Sequence, residues 1–172
     1  MTYRPPARKL MIMDACVLID FIKADRSVLE LVVKHVGTLH VVGPVIDEVK
    51  EIEGENELIE LGMVIVEPEI EDLDAASQKN RRTSKPDNLC LLMAKRHGLT
   101  CVTNDKPLRT FCEKENVPTM WGLELLIELN RSGGIPAETA LDIARKIREA
   151  NPKHITHEIL EQFTELIQKS KD

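Results

Sequence analysis

The sequence predicts an α/β protein: a three-layer α/β/α sandwich with a mostly parallel central sheet, extended by a C-terminal helical hairpin. Three observations predict it. Strand-like and helix-like segments alternate from Lys9 to Arg131, the first strand is apolar on both faces, and everything beyond Pro136 reads as helix alone.

The first strand, Lys9 to Asp14, carries four consecutive apolar residues after a polar segment, 1–8, that contains Pro5 and Pro6. A run without alternation suits a central strand buried on both faces. Ala15 to Lys23 reads as helix, and Ser27 to His35 as a second one that opens at a good N-cap residue and stops at Gly37. Leu39 to Val42 is rich in β-branched residues and ends at Gly43-Pro44, where proline suits the first turn of a helix running to about Ile52. Glu55 to Leu61 is expected to be helix, Met63 to Val66 strand and Glu69 to Gln78 helix, followed by a basic loop from Lys79 to Lys85. Ser84, with Asp87 three residues on, has the form of a capping box and opens a helix through His97 that Gly98 closes. Thr100 to Thr103 is the fourth strand. Asn104-Asp105 turns into a helix from Lys106 to Glu115, Val117 to Met120 is a short fifth strand, and Gly122 to Arg131 is helix again. Two further helices, Ala137 to Glu149 and Thr156 to Lys169, flank an Asn151-Pro152 break. The second places Ile159, Phe163, Leu166 and Ile167 along one stripe. The expected division is a polar segment 1–8, an α/β domain 9–132 and a hairpin 133–172.

Composition narrows the function. The chain has 172 residues, 42% hydrophobic and 30% charged, enough for one well-buried domain without a disordered bias. Its apolar runs are too short for a signal sequence or membrane span, so a cytoplasmic location without membrane contact is expected. A formal charge of −6 argues against a general basic coat for nucleic acid, although a local patch is compatible with it. Cys16, Cys90, Cys101 and Cys112 show no CxxC spacing and read as reduced core thiols.

Asp14, Glu48, Asp87 and Asp105 are the candidate site. Asp14 and Asp105 follow apolar strands, at the carboxyl ends where open α/β sheets place their sites. Glu48 falls in the helical stripe of Val45, Val49 and Ile52, and Asp87 in that of Cys90, Leu91 and Ala94. Each acid also has a structural reading: N-cap for Asp14 and Asp105, capping box for Asp87, and a snorkelling stripe edge for Glu48. Together, carboxylates converging on one point repel unless a cation lies between them, and hard divalent ions take such oxygen ligands. Arg81, Arg82 and Lys85 precede Asp87, and Lys106 and Arg109 follow Asp105, where they bring positive charge for a phosphate backbone or simply solvate a loop.

The segments MIMDACVLIDF (11–21), VGPVIDEVKE (42–51), SKPDNLCLLMAKRHG (84–98) and TNDKPLR (103–109) resemble the four acidic motifs of PIN-domain nucleases, in the usual order. The likeness spans about Leu10 to Arg131, and within that superfamily the chain is similar to a less characterised branch of the VapC-like toxin group. The resemblance implies a metal-dependent ribonuclease that hydrolyses RNA phosphodiesters with Mg²⁺ or Mn²⁺, often a homodimer, often paired with a small antitoxin protein. It assigns metal binding and catalysis to Asp14, Glu48, Asp87 and Asp105, and a supporting polar role to Thr103 and Asn104. Cys16 departs from the family, which commonly has serine, threonine or asparagine there; the long hairpin is a second departure. These departures support an alternative, a catalytically weak PIN-like module for protein association. An aspartate-nucleophile phosphohydrolase is disfavoured, since that chemistry wants an acid where Cys16 stands.

Overall fold

The structure, a computed structural model, describes residues 7–79 and 82–169. Its sheet has five strands, β1 (Lys9–Met13), β2 (Gly37–Val42), β3 (Val64–Val66), β4 (Thr100–Val102) and β5 (Thr119–Met120), in the order β3-β2-β1-β4-β5. Every pairing is parallel. The chain therefore runs outward from β1 to β3, then returns across the sheet to lay β4 on the free side of β1. Connections diverge at that point, and the crevice at the carboxyl ends of β1 and β4 is where such sheets hold ligands.

Two groups of helices cover the sheet. On one side α1 (Ala15–Asp25) and α2 (Ser27–His35) pack with α8 (Gly122–Arg131), α9 (Ala137–Ala150) and α10 (His157–Lys169). On the other, α6 (Lys85–His97) lies against β1, β2 and β4, flanked by α5 (Ile70–Lys79), α7 (Lys106–Lys114) and the four-residue α3 (Gly43–Ile46). The short α4 (Glu55–Glu60) leads into β3. The apolar run of β1 is explained by this placement: Met11, Ile12 and Met13 are each 0% exposed. Both sheet faces are roofed, so alternation has no role there.

Local chemistry sets most boundaries. Ser84 accepts a hydrogen bond from the Asp87 N–H at 3.2 Å, and Gly98 closes α6 in the left-handed region at φ +67°. Gly37 is required by proximity, since a Cβ there would lie 2.0 Å from the Lys9 carbonyl oxygen, against the β1 backbone. Ser27 is not an N-cap; its N–H and hydroxyl instead donate to Asp25 Oδ1, at 3.0 and 2.6 Å.

Three expectations are corrected. The helix after Gly43-Pro44 ends at Ile46 rather than near Ile52, and the chain continues in turns bonded from Glu48 N–H to Val45 O and from Val49 N–H to Ile46 O. Asp47, Glu48, Glu51 and Glu53 load the carboxyl half of that segment with negative charge, which opposes the helix dipole. Cys16 is exposed, while Cys90, Cys101 and Cys112 are buried as expected. The α10 stripe is split: Phe163 and Ile167 are buried, but Ile159 is 38% and Leu166 43% exposed.

The hairpin folds back onto the domain. Ile143, Ala144 and Ile147 of α9 are buried, with α9 packed on α1 and α8, and Asn151 in the connection donates to both carboxylate oxygens of Asp20 at 3.4 Å. Among the described residues, no helix is long and apolar enough to cross a membrane.

Candidate active site

Register brings the first and last acids together. Met13 of β1 pairs with Val102 of β4, and the Asp14 N–H extends that ladder to the Val102 carbonyl at 3.2 Å. Asp14 and Thr103 thus leave neighbouring strands side by side. The Thr103 hydroxyl donates to Asp14 Oδ2 and accepts from the Asp105 N–H at 3.0 Å, so one buried side chain holds both acids. The Val17 N–H donates to Asp14 Oδ1 at 2.9 Å, and the Leu108 N–H to Asp105 Oδ1 at 3.3 Å. The N-cap readings of Asp14 and Asp105 are therefore observed, and capping leaves each carboxylate with further lone pairs.

Asp14 is the most confined acid, 1% exposed. Burial pushes its carboxyl up to about 7, against the Thr103 and Val17 hydrogen bonds, and the charges of Asp87 and Asp105 push the same way. Burial also raises Asp87; hydrogen bonds from Ser84 oppose this and the Asp105 charge adds to it. Three of the four acids therefore act on one another through space, although they stand on different elements.

Glu48 is placed differently from the helical-stripe expectation. It is exposed on the turn after α3, while Val45 and Val49 of that stripe are buried and Ile52 is partly buried. It still senses the site, since desolvation and then the charge of Asp87 raise its carboxyl. Cys16 lies beside the acids: partial desolvation, then the charges of Asp14, Asp87, Asp20 and Asp105, push its thiol up to about 12. It is neutral at ordinary pH and supplies neither a nucleophile nor a good hydrogen bond.

Asn104 has a structural task, its Oδ1 accepting from the Gly122 N–H at 3.0 Å and tying the site loop to the start of α8. Among the basic candidates, Arg109 is the one built into the site. Its guanidinium donates to the Thr103 carbonyl at 3.4 Å and lies 3.6 Å from the centroid of the Trp121 ring. Arg82, Lys85 and Lys106 are exposed near the acids in sequence, and Arg81 lies outside the described residues. Lys79, from the same basic stretch, is paired with Glu115 at 2.9 Å. The Arg109–Trp121 stack was not visible in sequence, because the two are joined by the β4–β5 pairing rather than by a local spacing.

Mg²⁺ or Mn²⁺ would meet carboxylate donors here. Among the described residues no group of three or more His, Cys, Asp or Glu side chains is arranged to hold a metal ion as it stands. The donor chemistry of the four acids nevertheless suits a hard divalent cation, being carboxylate oxygen, with one carboxyl raised by burial and, to a lesser extent, by its acidic neighbours. Compared with known proteins, the sequence matches no family model and no curated relative.

Proposed function

We propose that this protein is a divalent-metal-dependent endoribonuclease of the PIN type, acting on RNA phosphodiesters. The observation that carries the reading is Asp14, a nearly inaccessible carboxylate at the switch point of a parallel sheet, in the electrostatic reach of Asp87 and Asp105. A cation relieves that repulsion, whereas a purely structural N-cap gains nothing from acidic neighbours.

Asp14 and Asp105, fixed by Thr103 at strand ends, would be the main ligands of Mg²⁺ or Mn²⁺; Asp87 and Glu48 would complete the set. When bound, the ion would neutralise phosphate charge and lower the pKa of an attacking water. The chain's own part is orientation. Thr103 holds Asp14 in one rotamer, Leu108 holds Asp105, and Arg109, anchored on the Thr103 carbonyl, brings positive charge to the phosphate side.

Titrating Mn²⁺ should raise the melting temperature of the protein and activate cleavage of single-stranded RNA that EDTA stops. Asp14→Asn should abolish both effects. A melting temperature indifferent to Mn²⁺ would sink the proposal. A homodimer and a small antitoxin partner belong to the same reading and rest on the resemblance alone. The exposed position of Glu48 and the neutral Cys16 favour a second reading, a PIN-like association module with little catalysis. It predicts a folded chain that neither binds Mn²⁺ nor cuts RNA.

A further inference from the structure

A groove of about 410 Å³ opens beside the Asn104 loop, between Trp121, Leu123 and Ile127 on one side and Ile159, Phe163 and Leu166 on the other. Its wall includes Asn104, the residue between Thr103 and Asp105, so groove and acids share one loop. That volume lies within the range of small-ligand pockets, about 300–1,000 Å³.

Trp121 shows what kind of ligand suits it. The ring is 37% exposed, and the Arg109 guanidinium covers part of it without entering the groove wall. The indole surface presented to the groove is therefore the part that the guanidinium leaves bare. A guanidinium on one side of an indole fixes a flat platform and keeps its charge at the boundary with the acids. Glu124 and Glu128 also line the groove. Arg131 and His154 line it too; Glu124 accepts from the Trp121 backbone N–H at 3.3 Å and Glu128 pairs with Arg131 at 3.6 Å, each through Oε1, so the second oxygen of each carboxylate is left to accept from the amino edge of a base.

We infer that the groove between Trp121 and α10 holds a nucleobase of the RNA strand, with the adjoining phosphate at Arg109. The assignment of that phosphate to the scissile region rests on the nuclease proposal; the base pocket itself does not. An apolar body alone would match the indole and the α10 side chains but not the amide of Gln162 or the second oxygens of Glu124 and Glu128, whereas a base matches the platform and its polar rim together.

Trp121 is the only tryptophan of the chain, so its fluorescence reads the groove directly. The full chain is titrated with adenosine, cytidine and ribose in EDTA, and separately with a single-stranded RNA oligonucleotide and its abasic counterpart. Both nucleosides are expected to quench saturably and ribose not at all. The oligonucleotide should quench more strongly than its abasic form. Trp121→Ala should weaken oligonucleotide binding about tenfold and Trp121→Phe should recover most of the loss, as for single bases stacked on aromatic side chains. In cleavage assays the loss should fall on KM rather than kcat. Nucleosides that quench no more than ribose, the result expected if a partner helix or a second copy covers the groove, overturn the inference; so does wild-type binding by Trp121→Ala. Base-dependent quenching with RNA left intact in Mn²⁺ supports the groove and removes only the nuclease proposal.

Discussion

Thr103 orders the site more than any charged residue. Its hydroxyl, on a side chain that is 0% exposed, uses its proton on Asp14 and a lone pair on the Asp105 N–H. Thr103→Val keeps the shape and strands both partners, which should cost about 1–3 kcal/mol in urea unfolding, while Thr103→Ser should cost much less. Asp14 gives a pH test whose sign follows from its raised carboxyl. The folded protein holds that proton up to about 7, against 3.8 for the ordinary group, so stability is highest below both values and declines as pH rises between them. Without metal, Asp14→Asn should therefore flatten the decline, melting above the wild type in alkaline buffer and converging with it in acid. All four acids were legible as candidates because their types and flanks are local signals. What was not legible is their ranking: solvent exclusion at Asp14 and exposure at Glu48 depend on which elements close over them.

At the scale of elements, α6 and the segment after β2 mark the two extremes. Ser84 and Gly98 bracket α6 with two complete local signals, and its boundaries follow from sequence to within a residue. The segment after Gly43-Pro44 has a start signal and an apolar spacing but four acids and no stop signal, and it leaves the helix at Ile46. Apolar spacing alone therefore misassigned the direction of Glu48, although Val45 and Val49 are buried as that spacing requires. Gly37 illustrates a constraint that no local pattern announces. It read as the end of α2, yet it opens β2 because the Lys9 backbone passes too close for any side chain. Gly37→Ala should destabilise the protein by more than about 2 kcal/mol, since backbone rather than a mobile side chain must give way. Chemical denaturation measures it, and a loss under half that size would show that the β1–β2 ladder shifts freely.

For the molecule as a whole, alternation of strands and helices identified the layers, and the hairpin was foreseen but not its attachment. Asp20 and Asn151 are far apart in the chain, so their contact has no local signature. Burial raises Asp20 to about 6, against the Asn151 hydrogen bond and the charges of His154 and Lys23. Undocking the hairpin returns that carboxyl toward 3.8, so docking weakens as pH climbs through about 6. Hydrogen exchange in α9 and α10, corrected for intrinsic rates, should be faster at about pH 8 than at about pH 5, and Asp20→Asn should erase the difference. The return of the chain to the free side of β1 has a consequence for order of assembly. Asp14 and Thr103 are 89 positions apart, and a chain emerging from the ribosome has Asp14, Glu48 and Asp87 long before it has β4. Until that last long loop closes, those acids are solvated and ordinary. A fragment ending before residue 100 carries three of the acids and three of the strands, yet neither Thr103 nor the β4 backbone that holds Asp14 in place. Whatever this site does, it begins doing it only when the sheet is finished.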